Sequence, residues 1–591
     1  MNRFDQIGDW LDERVGWRDL VQHALEEPIP GGARWAYIFG SVLVGSIALQ
    51  AITGWAMMAY YSPSATTAWA SVEHLNNNVT AGWLVRGLHH FGAHAMIVVI
   101  GLHIAQVAIY GAYKAPREVN WWLGLGLLGI TVGFGLTGYL LPWDQKGYWA
   151  TRVATNIAGT MPLAGKQVQQ ILVGGPEYGS MTLTRFYTLH IEILPLLLVA
   201  LLGAHLALFR RHGVTPPARA DVTKIGKFYP AQLARDVGGV LLLLVIVFAL
   251  ALRERGAPLD APADPASDYP ARPEWYFLSL FQLLKYFPGP LEVVATLVVP
   301  GVAGLYLALL PIWDRQPSRA LGPRLLYLAP LFGIGLGVAV LTLVSLRADA
   351  HDQPFQKARM LATERAQAAI ALASKGIPPE GPLAMLRHDP ETRGATLFQE
   401  NCASCHRLND LGPAADKAKA PDLTGWGTAE WALSMMDNPD AANRFASTPY
   451  KGEMISLVHP ADAQAAKTFK PMPEEKRRAV AAFLANEAAE NKDPHHDAAG
   501  AKILADSCTG CHMFRGQTDD SSSIGPELSG WGSTAWVRAQ IANPATNTTY
   551  RAEAMSPDRK GHMPRFDDKL ESDDINVLAA WVRTKARAGK P

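Results

Sequence analysis

All four cysteines of this 591-residue chain fall within two Cys-x-x-Cys-His motifs. The motifs are Cys402-Ala403-Ser404-Cys405-His406 and Cys508-Thr509-Gly510-Cys511-His512. Two thiols three residues apart can form thioether bonds to both vinyl groups of one haem, and the adjacent histidine then reaches its iron. A single copy could also be a redox-active dithiol, and zinc is a weaker alternative for Cys-x-x-Cys because it gives no reason for the fixed trailing histidine. Two copies that consume every cysteine and keep the same trailing histidine point instead to two covalent haems. The chemistry they imply is one-electron transfer.

A second set of candidate ligands lies in apolar surroundings, where a polar side chain is costly and so invites a functional reading. His89 and His103 share one hydrophobic run, and His190 and His205 share another. Separations of 14 and 15 residues are about four helical turns, so each pair faces one way and spans roughly 21 Å. Two such helices face to face can hold two bis-histidine haems stacked across a bilayer. His89 would pair with His190 on the outer side, and His103 with His205 on the cytoplasmic side. Gly40 and Gly54, and Gly124 and Gly138, repeat the 14-residue interval. A missing side chain lets a flat macrocycle approach the backbone, although small residues also serve ordinary helix packing in membranes. Arg86, one turn before His89, could pair with a haem propionate. His90 and His94 have no matching partner and stay unassigned.

These residues need elements to position them. Up to about Arg347 the chain is dominated by apolar runs near the twenty residues a membrane helix requires. Seven are expected, near 35–61, 84–110, 121–141, 185–209, 237–252, 291–313 and 325–346, the fifth being the shortest. An amphipathic stretch (Trp10, Leu11, Val15, Trp17, Leu20, Leu25) precedes them and reads as an interfacial segment rather than a signal peptide. Between Trp35 and Val85 there is no Lys or Arg, whereas Lys114, Arg117, Arg210, Arg211, Arg219, Lys224, Lys227, Arg235, Arg315, Arg319 and Arg324 fall in the even loops. The positive-inside rule places the N-terminus and those loops in the cytoplasm and the C-terminus outside. Covalent haems are attached outside the bacterial cytoplasm, so the two arguments agree on a bacterial inner-membrane protein. Whole-chain averages (49% hydrophobic, mean hydropathy +0.04, net charge +1) describe neither half, and near-zero charge gives no support for nucleic-acid binding.

The remainder is a tandem repeat. Pro421–Trp426 answers Pro526–Trp531, Asn438-Pro439 answers Asn543-Pro544, and Gly394 answers Gly500, at offsets of 105–106 residues. A methionine is the expected sixth iron ligand in each copy. In the second copy Met563 is the natural choice, with Met555 and Met513 less well placed. In the first, Met454 stands 15 residues after Pro439, close to the 19 between Pro544 and Met563. Met472-Pro473 has the familiar dipeptide but abuts the last helix, so both stay open.

The first 350 residues resemble cytochrome b of the quinol–cytochrome c oxidoreductases, and the repeats resemble class I cytochrome c. The resemblance rests on Arg86-Gly-Leu-His89, Gly138-Tyr-Leu-Leu-Pro-Trp143, Leu183-Thr-Arg-Phe-Tyr187 before His190, and Pro273-Glu-Trp-Tyr276. The 15-residue histidine spacing, the Pro142–Trp149 segment, Pro262-Ala-Asp-Pro265 and seven helices rather than eight are similar to the chloroplast type, whose two chains are joined here. That type carries an extra haem on a cysteine where this chain has Ile38, and with no spare cysteine a covalent haem there is excluded.

The resemblance implies a mostly α architecture, a seven-helix bundle followed by two small all-α domains. The expected segments are 1–34 (interfacial), 35–210 (haem-b core), 211–350 (quinol-motif part), 351–391 (linker), 392–490 and 491–591 (cytochrome c domains). It further implies two haem b and two haem c. Quinol would be oxidised at an outer site of Pro273, Glu274, Trp275 and Tyr276, walled by Pro142, Trp143, Asp144 and Tyr148. A partly desolvated carboxylate such as Glu274 can accept a proton released by quinol. Arg210, Arg235 and Asp236 are the candidates for a cytoplasmic quinone-reduction site, although topology alone explains the charges equally well. With no further Cys/His cluster, the iron–sulfur carrier must be a separate Rieske-type subunit. The quinone pool, a cytochrome c or terminal oxidase as acceptor, the bilayer and a second copy complete the implied partners. The reading is proton-translocating quinol:cytochrome c oxidoreduction with bifurcated electron transfer. The alternative is a conduit that passes electrons outward without bifurcation.

Overall fold

The structure, a computed structural model, describes residues 3–448, 450–462, 464–489, 498–516, 525–546, 549–550 and 563–589. These residues are mostly helical. One two-stranded antiparallel ribbon, Pro28–Pro30 with Ile225–Lys227, is the sheet among them. The chain divides into two compact units, Met1–Leu383 and Ala384–Pro591.

Seven helices of the first unit are long and apolar enough to cross a bilayer. They are Phe39–Met58, Gly82–Tyr110, Glu118–Leu140, Ser180–His212, Phe228–Arg253, Gly289–Trp313 and Leu321–His351. All seven expected runs are present. The fifth is longer than hydropathy indicates, because its first turns carry Gln232, Arg235 and Asp236. Polar side chains end an apolar run without ending a helix. Ahead of the first span, Arg3–Val15 and Trp17–Leu25 are separate helices broken at Gly16, whose φ of 59° is left-handed. Trp10, Leu11, Val15 and Trp17 are exposed along them, which suits the expected interfacial segment.

A buried ionic cluster ties the second, sixth and seventh spans together. Asp314, just past the sixth span, accepts from Lys114 Nζ at 2.6 Å, Tyr113 Oη at 2.5 Å and Arg324 Nε at 2.8 Å. Arg324 is fully buried and also donates to the carbonyl of Ala108 at 2.6 Å. The paired charges are thus hydrogen-bonded as well as neutralised, the condition under which burial is tolerable.

In the second unit the two repeats share one core. The first repeat runs from a leading helix, Pro390–Asn401, to a closing helix, Glu474–Glu487. The second runs from Ala498–Ser507 to Ser572–Ala588. Each leading helix crosses the closing helix of the other repeat. A Cβ on Gly394 would stand 2.2 Å from Cβ of Trp581, and one on Gly500 would stand 2.8 Å from Cβ of Phe483. Only glycine permits these crossings. Around the first, Phe398 packs on Trp581 with ring centres 5.5 Å apart, and Arg393 holds Asp574 through two bonds of 2.8 and 3.0 Å. Within a repeat, the contacts run from the middle helix to the closing helix, as in Arg477–Asp437 and in Arg538 Nε donating to Asn576 at 2.6 Å. Trp426, Trp431, Trp531 and Trp536 meet at the centre, with Trp426 and Trp531 4.9 Å apart.

Because Trp581 completes the first repeat, Trp581→Ala is expected to cost about 3–5 kcal/mol and to loosen Pro390–Asn401. Amide exchange on the full chain checks it. Lost protection confined to the second repeat would contradict the exchanged packing.

Candidate functional site

The second and fourth spans bring the four candidate ligand histidines into two facing pairs. The rings of His89 and His190 lie 6.3 Å apart at 63°, and His205 lies within electrostatic reach of His103. Unequal spacings can still face each other because the fourth span contains a π turn at Leu189–Ile193, which includes His190. The wider turn takes up one extra residue. Fifteen residues there therefore subtend roughly the angle that fourteen subtend on the second span.

Hydrogen bonding sets the tautomers. Thr53 Oγ1 gives its hydrogen to the carbonyl of Leu49 at 2.6 Å and so accepts from His89 Nδ1 at 2.9 Å. Thr137 repeats the arrangement, donating to Gly133 O at 2.8 Å and accepting from His190 Nδ1 at 3.0 Å. His205 Nδ1 donates to Asn120 O at 3.1 Å. A proton held on Nδ1 leaves the lone pair on Nε2, the arrangement a metal-binding imidazole needs. His103 Nδ1 is buried with no hydrogen-bond partner among the described residues.

The four glycines face the four histidines one for one. A Cβ on Gly138 would approach His190 to 2.6 Å, on Gly54 His89 to 3.4 Å, on Gly124 His205 to 3.6 Å, and on Gly40 His103 to 3.9 Å. The expected close approach is therefore to the imidazole edge, which the glycines let lie against the neighbouring helices. Two neutral imidazoles 6.3 Å apart match one metal ion bonded to a nitrogen on each side at about 2 Å. These residues fit a bis-histidine haem.

The Cys-x-x-Cys-His motifs follow the same rule. In each, the histidine N–H returns to the first cysteine's carbonyl at 2.9 Å, winding the motif into a turn. His406 Nδ1 donates to Pro421 O and His512 Nδ1 to Pro526 O, both at 3.0 Å. Burial pushes both imidazoles below their ordinary pKa, so they stay neutral with Nε2 available. Cys402 with Cys405, and Cys508 with Cys511, thus stand beside a ready axial ligand. Met454 and Met563 both pack against the shared core. The Met472 amide donates to Leu457 O at 2.9 Å, and its carbonyl accepts from Arg477 at 3.1 Å. Met513 is buried next to His512, and Met555 lies outside the described residues.

At the other candidate site, Glu274 starts a short 3-10 turn, Trp275–Phe277, after Pro273. Its side chain is 11% exposed; Oε1 accepts from Lys146 Nζ at 2.7 Å, and Oε2 lies 3.9 Å from His94 Nε2. Tyr276 packs 5.7 Å from His94 and against Gly135 of the third span. Burial first, and the charge of Glu274 second, push the Tyr276 phenol up, so it stays a hydrogen-bond donor. Sequence reasoning left Lys146 and His94 without a role here. Lys146 sits inside the Pro142–Trp149 segment, and the unpartnered His94 was the available signal.

The proposed wall has a more structural side. Asp144 is buried, caps the helix Gln145–Gly159 by accepting from Gly147 N at 2.8 Å, and accepts from Asp260 N at 3.2 Å. Burial, then the charge of Asp260, holds its carboxyl above the ordinary value. Around it Gln145 N bonds Ala261 O at 2.9 Å and Ala263 N bonds Trp143 O at 3.1 Å, zipping the segment onto the stretch before Pro273. Tyr148 packs 5.7 Å from Trp143 and 5.9 Å from Tyr178. Arg86 donates to the carbonyls of Ala257 and Pro258 at 2.8 and 2.6 Å, pinning the segment that follows the fifth span.

The three cytoplasmic candidates are not gathered into one cluster. Asp236 accepts from Ser41 at 2.9 Å and Gln232 at 2.8 Å, Arg235 turns back to Ala231 O, and Arg210 pairs with Glu27. They share no hydrogen bond or ion pair among the described residues.

Facing histidine pairs inside a seven-helix bundle, joined to two Cys-x-x-Cys-His repeats, define a membrane electron-transfer protein. Residues 94–262 match the family described as Cytochrome b(N-terminal)/b6/petB, 262–364 match Cytochrome b(C-terminal)/b6/petD, and 391–487 and 498–586 each match Cytochrome c. The cytochrome bc complex cytochrome b subunit of Chlorobaculum thiosulfatiphilum is 33% identical over 323 residues, 53% of this chain and 75% of that protein. The menaquinol:cytochrome c reductase cytochrome b subunit of Bacillus subtilis (strain 168) is 41% identical over 221 residues, 36% of this chain and 99% of that one. A solved structure described as a hyperthermophilic respiratory Complex III matches with a TM-score of 0.51 and 26% identity, covering 61% of this chain and 96% of its own. The chain belongs to the cytochrome b family of bc-type quinol:cytochrome c oxidoreductase complexes, with both cytochrome b parts joined and two cytochrome c domains fused behind them. Haem b and haem c are the cofactors these domains imply.

Two outcomes test the ligand assignments. Gly138→Ala drives a methyl into His190 and is expected to lower b-haem content at least several-fold in a dithionite-reduced spectrum, whereas Gly40→Ala, with 3.9 Å of room to His103, retains more of it. Met454→Ala is expected to abolish the sulfur-to-iron charge-transfer absorbance of one ferric c haem, and Met472→Ala is expected to leave it.

Proposed function

We propose that this chain is the quinol-oxidising subunit of its complex, with Glu274 accepting a proton from a quinol hydroxyl. The observation that carries this is the placement of Glu274, a largely buried carboxylate bonded to Lys146 at 2.7 Å and facing His94. Quinol oxidation releases protons together with electrons, and a carboxylate in a confined site beside a cation can take one. Lys146 occupies Oε1 at 2.7 Å, which leaves Oε2 as the acceptor. Tyr276 and Trp275 supply flat apolar walls, and the zipped Trp143–Gln145 segment closes the site against water.

His89 with His190, and His103 with His205, would each hold one haem b. His406 with Met454 and His512 with Met563 would ligate the two haem c bound at Cys402/Cys405 and Cys508/Cys511. Bound there, the haems would supply the one-electron carriers that let the two electrons of quinol part, one toward a quinone near the cytoplasmic side and the other toward a separate Rieske-type iron–sulfur subunit and the c-type motifs. Asp236, with Ser41 and Gln232, is the buried polar group that could meet that quinone; Arg210 and Arg235 lie at the same end of the bundle. Proton release outside and uptake inside would couple the reaction to proton translocation. The loop charges support a bacterial inner-membrane placement with the cytochrome c repeats outside. The working unit is a multi-subunit complex, expected to be dimeric, that draws on the quinone pool and passes electrons to a cytochrome c or terminal oxidase.

Glu274→Gln keeps the shape and removes the base. Quinol:cytochrome c reductase turnover of the purified complex is expected to fall about 100-fold with unchanged b- and c-haem content. Full turnover in that variant would refute the assignment.

A further inference from the structure

The third member of the outer cluster is a histidine that the ligand set does not use. His94 lies five residues after His89 on the second span, and its Nε2 is 3.9 Å from Oε2 of Glu274. Its ring is 4.3 Å from His90, 5.7 Å from Tyr276 and 6.4 Å from Trp275. It therefore borders the face on which Glu274 would meet substrate, with its side chain 21% exposed.

We propose that His94 is a second proton-handling group of the quinol site, receiving from Glu274 the proton that Glu274 takes from quinol. This rests on the reading of Glu274 given above. The two hydroxyls of a quinol stand at opposite ends of its ring, too far apart for two side chains whose facing atoms are 3.9 Å apart to serve one each. Glu274 and His94 therefore act in series on one hydroxyl. The quinol O–H bond breaks as an O–H bond forms on Oε2 of Glu274. That bond then breaks as an N–H bond forms on Nε2 of His94, leaving an imidazolium beside a carboxylate. The electrons leave quinol for the two acceptors already named, so the steps at Glu274 and His94 move protons only.

The present 3.9 Å separation is longer than a hydrogen bond and closes with a turn of the glutamate side chain; such contacts tighten when substrate binds. Lys146 decides between this role and a metal site. The ligand atoms of His90, His94 and Glu274 lie within 4.8 Å of one another, a spacing that could hold a dication. The ammonium of Lys146 already occupies Oε1 of Glu274 at 2.7 Å and would repel one. Passing the proton to His94 leaves Glu274 as a carboxylate paired with that ammonium and facing the imidazolium. The titratable groups facing His94 are His90 on its own helix, Glu274 and Tyr276 after the fifth span, and Lys146 on the helix Gln145–Gly159.

The test uses the purified complex with His94→Asn, His94→Gln and Glu274→Gln, assayed for quinol:cytochrome c reduction from about pH 5.5 to 9, a range that includes the ordinary histidine value. Rates are taken per reduced b haem, so a variant that assembles poorly is still read per assembled centre. Both His94 variants are expected to lower kcat at least ten-fold and to move the acid limb of the pH–kcat profile, with KM within about two-fold and an unchanged b-haem spectrum. A role confined to packing would leave that limb in place. Wild-type kcat and an unmoved acid limb in either His94 variant overturn the proposal, while a slow Glu274→Gln variant in the same series keeps the quinol site itself. A fully active Glu274→Gln variant would remove that site and the relay with it.

Discussion

Everything in the membrane unit depends on neutral imidazoles whose lone pairs are kept unspent inside an apolar bundle. An isolated histidine there would be a burden, because burial disfavours its charged form and leaves its ring nitrogens wanting partners. The chain meets half of that demand from within. Thr53, Thr137 and the Asn120 carbonyl take the Nδ1 protons of His89, His190 and His205, and the other nitrogen keeps its lone pair. The same device recurs outside the membrane, where Pro421 and Pro526 take the protons of His406 and His512. Two unrelated folds thus reach one solution, since an axial imidazole needs one tautomer and one orientation.

Glycine is the complement of that constraint. Each ligand ring lies against a residue with no side chain, and the tightest, at Gly138, belongs to the span pair that also carries the π turn. Local irregularity and missing side chains act together, bringing two helices of unequal spacing to a common alignment. Glycine has a different task in the repeats, where Gly394 and Gly500 admit Trp581 and Phe483. Each repeat completes the other, and the four tryptophans at the centre belong to both. The two sequence units therefore share one hydrophobic core, which takes in Cys402 and borders Cys508 of the two c-type motifs.

Much of the site was legible in the residues themselves. Cysteine count and spacing, the shared 14-residue interval and the seven apolar runs each follow from a periodicity that the chain imposes locally. Arg86 shows where this ends: its charge suggested a propionate partner, and the fold commits two of its amino groups to the carbonyls of Ala257 and Pro258. Asp144, read as part of a substrate wall, is a helix cap and a strut between two loops. Lys146 carried no signal of its own, because its meaning depends on Glu274, 128 residues away.

The sequence alone determined the residue types of the candidate sites, their spacing along each helix, the number of spans and the repeat, because these depend on neighbours a few residues apart. Only the tertiary structure decided which nitrogen of His89, His190 and His205 stays free, how a 15-residue spacing matches one of 14, which closing helix each repeat uses, and that Lys146, Glu274 and His94 form one cluster. The π turn at Leu189–Ile193 makes the spacing match within its own span; the others are settled by groups distant in the chain, whose approach is set by packing and the burial of polar atoms rather than by local pattern.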